Sequence, residues 1–289
     1  MRVHHGVRRD VAAGALDAGS GLDIDDLDLD LGGVVHPAVL AQARALVPVL
    51  SAAQCFSHTT ALALWGLPTS GDAQRGRAPL HVSTMEGRAM RRPGVVGHRI
   101  SRGVGVASVG DLPVVDAVSA WLQSAGVTGL DELVRVGDAL CGLWSPFPEA
   151  RGLLPEVLAS RVRALHGTRG LTRLREAVDL VRPDVRSPKE TDVRLLLTRG
   201  GIEEPEINVP TVDAAGRFLG TPDLRWLRRK VAVEYEGDAH RRDRARSRRD
   251  ITRRERFADD GWHLMRCTDD DLHGAAAQAF VARVARRLA

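Results

Sequence analysis

From Ser187 to Ala289 the apolar residues change spacing in one order, helix-strand-strand-strand-helix-strand-helix, and this constrains the fold more than any other feature of the chain. Ser187-Pro188-Lys189-Glu190 opens a helix, with serine at the cap and proline in the first turn. Val193, Leu196 and Leu197 form its apolar face, and Gly200-Gly201 stops it. Strands are expected over 206–212, 218–226 and 231–236, with a turn at 213–216 between the first two. An arginine-rich helix follows, then a strand over 262–267. A last helix places Leu272, Ala276, Phe280, Val284 and Leu288 four apart on one face.

Acidic residues fall where this pattern wants apolar ones. Asp223 follows Pro222 in the second strand, and Glu234 stands beside Val231 and Val233 in the third. A hairpin can set the two side by side. Glu234 and Glu236 are two apart and share one face of their strand. Acids on adjacent strands repel unless a cation or a basic partner sits between them. Hydrolysis of a phosphodiester needs exactly such neutralisation, plus an activated water. A divalent cation supplies both, and Mg²⁺ takes oxygen ligands from a few convergent carboxylates. Each residue also has a structural alternative. Glu190 completes a capping box, Asp223 can be a turn acid, Glu234 can pair with an arginine, Glu236 can be an edge charge, and His240 can cap a helix.

Charge is unevenly spread. Residues 1–185 hold 19 basic and 19 acidic side chains, whereas 186–289 hold 22 and 18, so the net charge of +4 belongs to the second part. Arg241 to Arg256 contains nine arginines and three acids. In a helix Arg242, Arg246, Arg249, Arg253 and Arg256 form a stripe able to follow a nucleic-acid backbone; the alternative is a solvated face of Arg–Asp pairs. One tyrosine and five phenylalanines in the chain leave little for base stacking.

Ser187-Pro-Lys-Glu190, Pro222-Asp223 and Glu234-x-Glu236-Gly237-x-x-His240 resemble the Vsr-like branch of the PD-(D/E)XK nuclease superfamily. The likeness continues through Arg249-Asp250-Ile251-Thr252-Arg253, Gly261-Trp262 and the Arg266 to Leu272 segment. It covers about 100 residues. The resemblance implies a restriction-endonuclease-like αβββαβ core over 186–289 and a Mg²⁺- or Mn²⁺-dependent endodeoxyribonuclease. It implies that Asp223 and Glu234 bind the metal, that Glu190 approaches the same or a second ion, and that His240 orients water or phosphate. Glu236 replaces the superfamily's usual lysine, which leaves the water-activating group open. DNA as partner, bound through Arg242, Arg246, Arg249 and Arg253, follows from the same resemblance. No small-molecule cofactor is expected.

The rest of the chain is less explicit. Residues 1–35 read as a flexible acidic lead-in, and 36–185 as a mixed α/β domain, mostly helical in its second half, that helps to bind DNA. Helices are expected over 37–53, from Ser57 or Thr59 to Trp65, and over 114–124, 130–140, 153–166 and 171–180; strands over 80–83 and 95–100. His58, His81 and His98 are isolated and read as fillers. Ser57 to Pro68 resembles a segment of AbiEi-type antitoxins, which implies a second possibility, a catalytically inactive DNA-binding regulator of antitoxin or transcription-factor type. Three distant cysteines without C-x-x-C spacing, no long apolar run and no apolar stretch behind the basic start lead to a cytoplasmic expectation, without membrane contact.

Overall fold

The computed structural model describes residues 34–100, 104–237 and 244–289. Most of the acidic lead-in, together with His240 and Arg242, lies outside the described residues, as do the side chains of 244–251. The protein is mixed α/β.

The first part opens with α1 (Pro37–Leu46), β1 (Gln54–Phe56), α2 (His58–Leu64) and α3 (Gly71–Gln74). Five more strands follow: β2 (Leu80–Thr84), β3 (Arg91–Arg92), β4 (Val95–Arg99), β5 (Val106–Val109) and β6 (Leu112–Val115). With β1 they make a six-stranded mixed sheet in the order β3-β4-β2-β1-β6-β5. Helices α4 (Ala117–Ser124), α5 (Leu130–Cys141), α6 (Pro155–Arg163) and α7 (Leu171–Leu180) complete it. The expected helix over 37–53 stops at Leu46, because Pro48 cannot continue the ladder and sits in a 3-10 turn. Residues 114–115, read as the start of a helix, belong to β6; Asp116 then caps α4, its Oδ1 accepting the Ser119 amide at 2.8 Å. One core runs from Val39 to Val181 and includes Leu195. Its buried indoles are satisfied: Trp65 donates to the Val115 carbonyl and Trp121 to that of Leu133, both at 2.9 Å.

The second part starts with α8 (Pro188–Arg199), β7 (Glu206–Ile207), β8 (Thr211–Val212), β9 (Phe218–Gly220), β10 (Leu224–Trp226) and β11 (Val231–Tyr235). It ends with α9 (Arg244–Asp259), β12 (His263–Cys267) and α10 (Gly274–Leu288). The main sheet is ordered β12-β11-β10-β7; β11 and β12 are parallel, joined through α9, and the other pairs are antiparallel. Both expected strands over 206–212 and 218–226 are broken. Asn208 takes a left-handed φ of 50°, and Pro210 and Pro222 lack the amide a ladder needs, so β8 and β9 pair with each other apart from the main sheet.

Side chains along β11 alternate as a strand requires. Val231 and Val233 enter a core with Val193 and Leu197 of α8 and Phe280 and Val284 of α10. Ala232 faces the other way, toward Phe257 of α9. Helices therefore cover both faces of the sheet. In α10 the buried residues are Ala277, Phe280 and Val284, while Ala276 is exposed; the face follows a three-four spacing, closer to 3.6 residues per turn than the expected run of fours. No described helix is long and apolar enough to cross a membrane. The three cysteines are free thiols. His58, His81 and His98, expected to be isolated, stand together where α2 meets β2 and β4.

Candidate functional site

The end of the β10–β11 hairpin is fixed by the apolar pairs Leu224↔Val233 and Trp226↔Val231. One step further the same register sets Asp223 opposite Glu234. Asp223 Oδ2 accepts the Tyr235 amide at 2.7 Å, and its carbonyl accepts the Asn208 amide at 2.9 Å. Its side chain is thus anchored from β11 and its backbone from the β7 side.

The N-terminus of α8 brings in Glu190. Ser187 caps the helix by accepting the Glu190 amide at 3.2 Å. A standard capping box would return the glutamate to the serine amide. Here Glu190 Oε2 instead accepts the Arg186 amide at 2.9 Å and Asn208 Nδ2 at 2.6 Å. Both bonds fall on one oxygen, and the Ser187 side chain also hydrogen-bonds the carboxyl. Asn208 is therefore a site residue the sequence reading missed. Its side chain holds Glu190 and its amide holds Asp223, and it can do both because asparagine tolerates the left-handed backbone. The visible signal was an Asn-Val-Pro interruption inside an expected strand.

Electrostatics ties these acids together. Burial, and then the negative charge of Asp223, push the Glu190 carboxyl up to about 7. Burial likewise raises Asp223 to about 6, against the pull of the Tyr235 amide and of the Arg253 and Arg186 guanidiniums. Asp223 is half-buried as a residue, but its carboxyl group is enclosed by protein atoms. Near neutrality the pair is therefore short of positive charge.

Glu234 is differently placed. Its carboxylate forms an ion pair with Arg253 of α9. The sequence reading put Arg253 on an outward stripe. Phe257, the fully buried residue among the described side chains of α9, lies one turn on, so Arg253 shares the helix's inward face and packs across Gly220. Glu236 is held by Arg266 Nη1 at 2.7 Å. Glu190 and Asp223 are thus brought into electrostatic contact, whereas Glu234 and Glu236 each have an arginine. Arg246 and Arg249 lie on α9, as expected, without described side chains. The hydroxyl of Thr221, two residues before Asp223 in the chain, is buried and has no hydrogen-bond partner. A cleft of about 440 Å³ lies elsewhere, lined by Gln42, Leu46, Arg77, Leu80 and Val95.

Arg253→Ala is expected to lower the unfolding free energy by about 1–3 kcal/mol, since it leaves Glu234 partly buried without its cation. Urea unfolding of the two proteins reads this directly; identical midpoints would show that the pair does not hold α9 to the sheet.

Two proteins of Mycobacterium tuberculosis are similar to this chain: Uncharacterized protein MT2308 (strain CDC 1551 / Oshkosh) and Uncharacterized protein Rv2248 (strain ATCC 25618 / H37Rv). Each is 27% identical over 131 residues, which is 45% of this chain and 48% of theirs. The chain spans about half the length of these curated relatives. No family model matches it, and no solved structure does.

Proposed function

We propose that residues 186–289 form a divalent-metal-dependent endodeoxyribonuclease with a PD-(D/E)XK-like core, to which 36–185 add DNA contacts. The observation that carries this reading is the enclosed Glu190–Asp223 pair, raised to about 7 and about 6 at the end of a strand hairpin. The chain order α8, β7, β10, β11, α9 and β12, with β8 and β9 set apart from the main sheet, supports it, being the αβββαβ order the resemblance implies.

The donors fit a hard divalent cation. Two buried carboxyls, with the charge of Asp223 raising Glu190, make a site whose acids gain from an added positive charge. Asp223 and Glu190 would hold Mg²⁺ or Mn²⁺. Glu234 would join them only by leaving Arg253, so this ion pair competes with the metal. When bound, the ion would neutralise charge on the phosphorane and make its water more acidic. The chain's own groups do the rest. Asn208 and the Tyr235 amide fix the two acids in place. Glu190, ionised beside the bound ion, can take a proton from the attacking water. Arg253 is near enough to Asp223 to draw its carboxyl down, and a guanidinium there suits an incoming phosphate.

A second reading, the catalytically inactive DNA-binding regulator, is favoured by one observation: Glu234 and Glu236 already have arginine partners. Supercoiled plasmid separates the two. A nuclease converts it to nicked or linear DNA with Mg²⁺ or Mn²⁺, and loses this in Asp223→Ala and Glu234→Ala with circular dichroism unchanged. Gel-shift binding without cutting, across metals and duplex or single-stranded substrates, selects the regulator. In either case replacing Arg242, Arg246 and Arg249 by alanine is expected to flatten the salt dependence of DNA binding.

A further inference from the structure

A second constellation lies far from the carboxylates in sequence and uses different chemistry. Strands β2 and β4 are parallel neighbours in which His81 pairs with Val96 and Ser83 with His98. Residues 81, 83, 96 and 98 therefore share one face of the sheet. His81 Nδ1 lies 2.9 Å from His98 Nε2. His58, the first residue of α2, stacks on His98 with ring centroids 3.8 Å apart. One nitrogen from each of the three rings lies within 4.8 Å of the others. All three residues are half-buried, so the group keeps an edge open to solvent.

Three further observations show that the cluster is built. His58 has a φ of 51°, a left-handed conformation uncommon outside glycine, though histidine takes it more readily than most residues, and one that persists where the surroundings impose it. The fully buried Ser57 hydroxyl lies 3.0 Å from His58 Nδ1, which fixes that ring and leaves Nε2 as its ligand atom; metal-bound imidazoles are usually oriented in this way through their second nitrogen. Ser83, 1% exposed and opposite His98 in register, has a hydroxyl without any hydrogen-bond partner.

We propose that His58, His81 and His98 form a three-histidine site for a borderline transition-metal ion, Zn²⁺ first among them, with one coordination position left open to solvent. Imidazole donors select Zn²⁺, Cu²⁺ and Ni²⁺ over Mg²⁺, which sets this site apart from the carboxylates. Tetrahedral zinc with bonds of about 2.0–2.1 Å places ligand nitrogens about 3.3 Å apart, so the three rings, stacked with nitrogens within 4.8 Å of one another, must turn to coordinate it. Burial lowers His58 to about 3 and His81 to about 4, and lowers His98, with His98's proximity adding to the first two. The rings are therefore neutral at physiological pH, the form that binds metal without first losing a proton. Three protein ligands and an open fourth position are what zinc sites use to retain a water or an external anion. Bound there, the ion would pin the start of α2 to β2 and β4.

The test uses full-length, tag-free protein stripped of metal, in an Asp223→Asn background so that the carboxylates do not contribute. Zn²⁺ titrated by calorimetry is expected to bind once per chain, and to raise the melting temperature. His58→Asn, which suits the left-handed backbone, and His98→Asn are each expected to weaken zinc binding more than tenfold while circular dichroism stays unchanged. Imidazole nitrogen resonances should shift for three of the ten histidines on adding zinc. Zinc binding at unchanged affinity in both variants, or no binding by the parent protein, overturns the proposal.

Discussion

Replacing Asp138 by alanine is expected to lower the unfolding free energy by about 3–5 kcal/mol, the largest stability loss we anticipate from one side chain in this protein. Asp138 of α5 and Arg194 of α8 form a salt bridge of 3.0 Å with both side chains 1% exposed. Asp138 also accepts the Thr191 hydroxyl at 2.8 Å and the Arg182 amide at 2.7 Å, while Arg194 Nη2 donates to the Leu180 carbonyl at 2.9 Å. Burial pushes the Asp138 carboxyl above its ordinary value and Arg194 pulls it back. The carboxyl stays above its ordinary value, so the attraction does not fully offset desolvation. Breaking the pair is another matter, because it leaves a buried guanidinium with only Glu204, a more exposed carboxylate 3.3 Å from Nη1, as counter-charge. The double variant Asp138→Leu, Arg194→Met should accordingly recover most of the loss. Urea unfolding of the single and double variants decides it. A single-variant loss below about 1 kcal/mol would mean that Glu204, or water reaching the site, compensates the Arg194 charge. The position matters because α8 faces two ways: Leu195 enters the first core, Val193 and Leu197 the second. Loosening Asp138–Arg194 would thus disturb the helix that carries Glu190.

The sequence revealed what local physics determines. Leu171–Leu180 and the Ser187 cap of α8 are encoded within single turns, and Val231–Tyr235 is apolar enough to be a strand in any context. The six-stranded sheet was harder to see, since β3 is two exposed arginines and β1 pairs in parallel with β6, Phe56 with Val114, across more than fifty intervening residues. The same limit hid the histidine cluster: His81 and His98 meet only because β2 and β4 pair in parallel in this register. Arg253 was legible in principle. Had α9 been oriented on Phe257, its one turn of separation would have placed the arginine inward, against Glu234. Asn208 was legible only as an interruption of an expected strand; its role was not, because it depends on a hairpin and a helix terminus converging from opposite sides.

The pair that carries the proposed function also predicts a stability gain from an inactivating change. Glu190→Gln is expected to make the metal-free protein more stable than wild type at pH 8, by about 1–3 kcal/mol, and to lower any cleavage rate by about 10²–10⁴-fold. The sign follows from linkage. The folded-state value of Glu190 is raised from 4.5 to about 7, so the folded protein binds more protons than the unfolded chain across that interval. Stability is therefore full below about pH 4.5, falls as pH rises toward 7, and levels off above. Asp223, raised from 3.8 to about 6, adds a loss of the same sign over a lower window. Glutamine cannot ionise, and its single carbonyl oxygen can accept both donors that now converge on Oε2, from Arg186 and Asn208. It keeps the helix cap and removes the penalty. Thermal melts of wild type and Glu190→Gln at pH 4, 6 and 8 should converge at the acid end and separate at the alkaline end. Mg²⁺ at pH 8 should raise the wild-type melting temperature and leave the variant nearly unchanged, because the ion stabilises the ionised pair that the variant lacks. A purely capping glutamate would behave otherwise. The difference between the two proteins would then be flat from pH 4 to 8 and indifferent to Mg²⁺, and the two acids would have to be read as part of the scaffold.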